Sequence, residues 1–156
     1  MAVATTKDRV PAHTEPSINA RIASETRERV QRFALRPAQI EERLIELDEE
    51  WDIERAIEAN ASTLAFIGVA LGFLAHPYWL VLPALVTLFL FQHAVQGWCP
   101  PVPVLRRLGY RTSYEIEQER YALKAIRGDF VGTEQSSDHA LAAVDLAVPT
   151  IDVVRH

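Results

Sequence analysis

Apolar residues recur along this chain at three different spacings, and each predicts a different kind of segment. From Ser17, the run SINARIASETRERVQRFAL sets Ile18, Ile22, Val30 and Phe33 on roughly one side of a helix, with Ser17 placed to cap it. Pro37 interrupts and is suited to open a second helix. There Ile40, Leu44, Leu47 and Trp51 recur at spacings of four, three and four, a heptad-like seam with Glu41, Glu42, Glu49 and Glu50 turned away. Nothing in the pattern breaks it before Ala75. The helix is therefore expected to continue into the next segment, straight or with a bend at Asn60.

That next segment is apolar on every side. It reads STLAFIGVALGFLA from Ser62, then HPYW, then LVLPALVTLFLFQHAVQGW. About 20 apolar residues, at about 1.5 Å each, cross a hydrocarbon core. Trp79 to Trp98 meets that length, and the first run reaches it if Ala56 and Ile57 are included with Glu58 at headgroup level. His76-Pro77 ends the first helix and leaves room only for a tight reversal. An antiparallel transmembrane hairpin is expected. Pro83 falls early enough in its helix to be tolerated. A soluble bundle would need partner helices apolar enough to cover both runs, and the rest of the chain offers only amphipathic ones.

Charge sharpens this picture. Residues 1–60 hold nine Lys/Arg and thirteen Asp/Glu, residues 101–156 hold seven and eight, and residues 61–100 hold none. Arg55 precedes the first run, and Arg106, Arg107 and Arg111 follow the second, so both termini are expected on the cytoplasmic side of the membrane. Tyr78 and Trp79 at one end and Trp98 at the other suit the two interfaces. A net charge of −5, with bases interleaved among acids, gives no cationic face for nucleic acid. The N-terminus lacks the apolar run of a secretory signal, and no phosphate loop, HExxH or GxSxG occurs. The acidic helix from Ala38 to Asn60 is expected to contact protein, because Arg43 and Arg55 are outnumbered by nine acids that an anionic leaflet would repel.

The fold expected is thus an all-α membrane protein, a two-helix transmembrane hairpin flanked by cytoplasmic amphipathic helices. Residues 1–16, with Pro11 and Pro16, are expected as a disordered lead-in, 17–60 as the amphipathic helices and 57–100 as the hairpin. Residues 101–130 would form an interfacial segment and a short helix, and 131–156 a flexible tail. At the start of the interfacial segment Pro100, Pro101 and Pro103 suggest irregular backbone, with Leu105 and Leu108 dipping into headgroups and Arg106 and Arg107 meeting anionic lipid. Thr112 to Glu115 reads as a capping box for a helix stopping near Gly128.

Few residues offer chemistry. Gly68 and Gly72 form a GxxxG, which suits either a homodimer seam or close packing within one hairpin. Cys99 is the only cysteine, which excludes an internal disulfide; its thiol would be reactive or an inert interfacial group. His93, with Gln92 and Gln96 beside it, places polar groups within the second span, for interhelical hydrogen bonding or for function. His76 lies near the opposite face, so the two histidines cannot share a metal or haem within one protomer. No catalytic residue, cofactor or metal site is expected.

Gly68-Val-Ala-Leu-Gly72, Pro77-Tyr-Trp79, Gly97-Trp-Cys99-Pro100 and Leu105-Arg-Arg-Leu-Gly109 together resemble the two-helix membrane domain of YgaP-like bacterial inner-membrane proteins, over about residues 60–110. The resemblance implies an inner-membrane hairpin that tends to dimerise, in a family of undefined activity. No rhodanese domain and no second cysteine accompany it, so sulfur transfer does not carry over. The expected function is a small non-enzymatic inner-membrane protein, in contact with the lipid bilayer and acting as a homodimer or as accessory to a small membrane-protein partner. The alternatives are a thiol-dependent sulfur-handling or small-anion transport component using Cys99, and a tether binding a partner through its N-terminal helices.

Overall fold

The computed structural model describes residues 5–131, and within them every regular element is helical. The helices are α1 (Pro16–Ala34), α2 (Ile40–Glu49), α3 (Ile53–Leu74), α4 (Val81–Gln96), α5 (Val102–Arg107) and α6 (Ser113–Arg127). Short 3-10 turns opening on prolines precede α1, α2 and α4.

α3 and α4 are the long apolar pair. Mean hydropathy reaches 1.6 over 18-residue windows in each, yet only 11% and 6% of those windows is buried inside the chain. They run antiparallel: a Cβ placed on Gly68 would meet Pro83 and Leu82, and one on Gly72 would meet Leu80. Of the two roles open to the GxxxG glycines, the contacts they make are those of close packing within the hairpin, against α4 and the turn before it. His76 takes the turn as foreseen, its Nδ1 accepting the Tyr78 N–H.

The remaining helices form a polar cap at the hairpin's foot. The seam of Ile40, Leu44 and Leu47 is covered by Ile116 and Leu123 of α6, with Phe33 of α1 packed alongside. Trp51 is not part of that seam. It is 47% exposed, and the Arg55 guanidinium lies 4.4 Å from its ring centre.

The helix does not run unbroken from Ile40, and the break is not at Asn60. It falls at Glu50 to Asp52. Glu50 turns extended, the Asp52 carboxylate accepts the Arg55 N–H as an N-cap, and the Ile53 N–H donates to the Arg111 carbonyl at 2.8 Å. Ser17 is likewise not the cap of α1. Glu15 holds that position with Pro16 following, where a missing N–H costs nothing.

Residues 5–14 are built into the fold rather than a loose lead-in. Val10 is 1% exposed and packs with Ile53, Ala56, Ile57, Cys99, Val102 and Leu105 in a second apolar cluster. The stretch after α4 is also more regular than its prolines suggest. Pro101 is the N-cap of α5 and Pro103 lies in its first turn, so two of the prolines start a helix instead of preventing one. α6 opens on the foreseen capping box of Thr112 and Glu115 and closes at Gly128. The tail expected over 131–156 lies, from 132 onward, outside the described residues.

Candidate functional site

Two clusters of buried polar side chains set the chemistry of the cap and of the hairpin's foot. The larger is centred on Glu119 of α6, which is fully buried. Its carboxylate accepts from Arg29 Nε of α1 at 3.1 Å, from Arg43 Nε of α2 at 2.9 Å and from Arg111 Nη1. Arg111 also forks onto Glu50, with Nε to Oε1 at 2.7 Å and Nη2 to Oε2 at 2.6 Å. Burial alone would raise the Glu119 carboxyl pKa, but the three guanidinium groups overcome it and hold it below the ordinary value. One acid thus ties α1, α2, α6 and the loop before α6.

Arg106 of α5 is the second anchor, and it corrects an expectation. It is fully buried and does not reach lipid. Its guanidinium forks onto Glu115 at 2.6 and 2.8 Å, donates to Asn19 Oδ1 at 2.8 Å and reaches the Tyr110 carbonyl at 3.1 Å. Leu105 is buried with it, whereas Arg107 and Leu108 are exposed. Glu115 is held below its ordinary pKa: burial opposes ionisation, and Arg106 with the Thr112 groups outweighs it.

At the hairpin's foot the N-terminal segment crosses α4. Arg9 Nη1 donates to the Ala94 carbonyl at 3.1 Å and Arg9 lies 3.9 Å from Glu54. Gly97 makes this crossing possible. Its φ of +78° suits glycine, and a Cβ there would come within 2.5 Å of the Arg9 carbonyl. His93 is 5% exposed beneath this crossing, and neither ring nitrogen has a hydrogen-bond partner among the described residues. Gln96 is exposed and Gln92 half-buried, so the three do not form one polar cluster.

Cys99 is 2% exposed and packs in the Val10 cluster. That is the setting of an inert structural thiol rather than of a nucleophile. Arg106, the first arginine after Cys99 in sequence, is committed to Glu115 and lends the thiol no free charge. Among the described residues no three His, Cys, Asp or Glu side chains are grouped to hold a metal ion.

Open depressions lie among the described residues, two of them between helices. One, of about 460 Å³, lies between α1 and α6 and is lined in part by Ile22, Thr26, Val30, Glu115 and Gln118. The other, of about 260 Å³, opens between α3 and α4 near Cys99. Neither is legible in the sequence, because each depends on how two helices diverge. The buried ion network was equally hidden: arginines and acids in helical segments look alike whether solvated or paired. No family model, curated protein or solved structure matches this chain. Gly97 and Gly109, both quoted in the resemblance to YgaP-like domains, have left-handed φ, so local backbone geometry alone gives reason for a glycine at each.

Proposed function

We propose that this chain is a small integral membrane protein of the bacterial inner membrane. Its α3–α4 hairpin spans the bilayer, both termini are cytoplasmic, and the cap is a rigid platform for a protein partner rather than a catalytic domain. One observation carries this reading: two helices of membrane-spanning length carry almost no burial inside the chain, while the described charges sit in the cap and at its junction. Phe66, Phe73, Leu74 and Phe91 are each more than two-thirds exposed. A contiguous apolar belt of that kind is rare on a soluble monomer.

The loss of Arg106 and Arg111 to internal pairing does not weaken the orientation. They still mark the charged side of the hairpin, and Arg107 remains free to face headgroups. The partner-docking part of the reading rests on the groove between α1 and α6, since the α2 seam is already covered within the chain. This favours an accessory subunit over a coiled-coil tether.

Alkaline carbonate treatment of membranes should leave the full chain in the pellet, and a reporter active only in the periplasm should stay silent when fused after His156. Release into the supernatant, or a strong periplasmic signal, would overturn the respective claim. A photo-crosslinker at Gln118 separates the partner readings. An adduct of twice the chain mass means a homodimer, another discrete mass means an accessory role, and no adduct counts against docking at this groove.

A further inference from the structure

We infer that the depression at the foot of the hairpin is a binding site for one acyl chain of a bilayer lipid, an inference that rests on α3 and α4 spanning the membrane. Gly68 and Gly72 draw the helices together toward the reversal. Nearer the cap a seam of about 260 Å³ stays open, with Ala61 and Leu64 on α3, Val86 and Phe89 on α4, and Pro100 and Pro101 as its floor.

The chemistry of that lining selects the ligand. Pro100 and Pro101 have no N–H, so the floor offers no backbone donor at those two positions. Asn60, the one amide at the edge, donates to the Ala56 carbonyl of its own helix. None of the buried polar atoms that lack a partner belongs to the lining. Apart from the rest of that amide and the Cys99 thiol, a weak donor, a polar ligand would lose its water and find no partner among the lining side chains. A hydrocarbon chain loses nothing.

Size and placement narrow it further. Sites that enclose whole small ligands run to about 300–1,000 Å³. This one is smaller, which suits one portion of a longer molecule that continues outside. Leu64 is 46% and Phe89 37% exposed, so the rim continues the apolar belt that the bilayer would cover. Left empty, the lining would forfeit dispersion contacts on one side. Lipid chains are the molecules present along that belt, and a partner helix would have to bring a side chain of matching length to the same spot.

The test uses the full chain reconstituted in vesicles of phosphatidylcholine and phosphatidylglycerol, released in mild detergent and weighed by native mass spectrometry. Ala61→Phe and the milder Ala61→Leu both fill the seam. Leu85→Phe, on an exposed face of α4 outside the lining, is the control. The wild type and Leu85→Phe should retain one phospholipid, and both Ala61 variants should lose it, with all four remaining helical and carbonate-resistant. No retained lipid on the wild type, or equal retention by the Ala61 variants, would overturn the inference while leaving the membrane reading intact. A dimer mass abolished only by the Ala61 variants would assign the seam to a second copy and overturn it too. If carbonate releases the wild type, the membrane reading fails and this inference falls with it.

Discussion

Glu119 is where charge matters more than volume. It is fully buried and receives three arginines, so Glu119→Gln keeps the shape but leaves Arg111 with Glu50, Arg43 with Glu46 and Glu50, and Arg29 with no acidic partner among the described residues. Breaking a buried pair in this way costs about 3–5 kcal/mol. Denaturant unfolding of the cap, followed by circular dichroism in detergent micelles, should register a loss of that size. Arg106→Lys should cost about 2 kcal/mol or more, since an ammonium cannot fork onto Glu115 while also reaching Asn19. Acid is expected to act on the same groups. The Glu119 and Glu115 carboxyls have folded-state pKa values below their ordinary 4.5, so their contribution is complete above that value and drains away as pH falls through the lowered ones. Glu54 works in the opposite sense, because burial raises its carboxyl and protonation relieves it. The cap should therefore lose helix signal on acidification below pH 4.5, and Glu119→Gln should show a smaller acid-dependent change than the wild type. A cap equally stable at pH 7 and at the acid end would contradict this assignment.

Helix contacts make the glycines of α3 the sensitive positions of the hairpin. A side chain on Gly72 would start 2.6 Å from Leu80 Cδ2, and one on Gly68 would start 2.5 Å from the Pro83 ring. Pro83 cannot swing aside as a leucine can, so Gly68→Leu should separate the helices more than Gly72→Leu. Cysteine pairs across α3 and α4, introduced with Cys99 replaced by Ser, should crosslink efficiently in the parent and poorly in Gly68→Leu. An unchanged yield would mean that the helices do not approach at Gly68. The break between α2 and α3 has a comparable key in Asp52. Asp52→Ala removes the side-chain acceptor for the Arg55 N–H and should cost about 1 kcal/mol. The break itself should survive, because the Arg111 carbonyl still binds Ile53 N–H and Glu50 is still held by the Arg111 fork.

Across the whole molecule, the N-terminal segment joins cap and hairpin. Val10 closes the cluster over Cys99, and Arg9 reaches both Glu54 and the α4 backbone. Cys99, the single cysteine, reports on that closure. A water-soluble maleimide should modify it slowly in the folded chain and quickly in denaturant. Deleting residues 1–10 should bring the rate in the folded chain close to the denatured one. Rapid labelling of the intact chain would place the thiol in solvent and reopen a reactive role for it.

The all-helical fold, the two long apolar helices with a tight reversal at His76-Pro77 and the capping box at Thr112 were all legible in the sequence. Each is a local matter: hydrophobic period, a charge-free run, a proline, and an N-cap three residues before its partner. Helix limits were less secure, since Ser17 and Pro16 both suit the start of α1 and only the fold selects between them. The seam of Ile40, Leu44 and Leu47 announced that it needed cover, but not that α6 and Phe33 would supply it. What the tertiary structure alone decided were the pairings across long separations. Arg106 looked like a lipid-facing arginine and became a buried anchor, because Glu115 and Asn19 converge on it from α6 and α1. Arg111 ended the α2 helix by capturing Glu50 sixty-one residues away. Period and propensity act over one or two turns, whereas the burial of a charge depends on whether opposite charges arrive from elsewhere in the chain, and that is settled only when the helices pack.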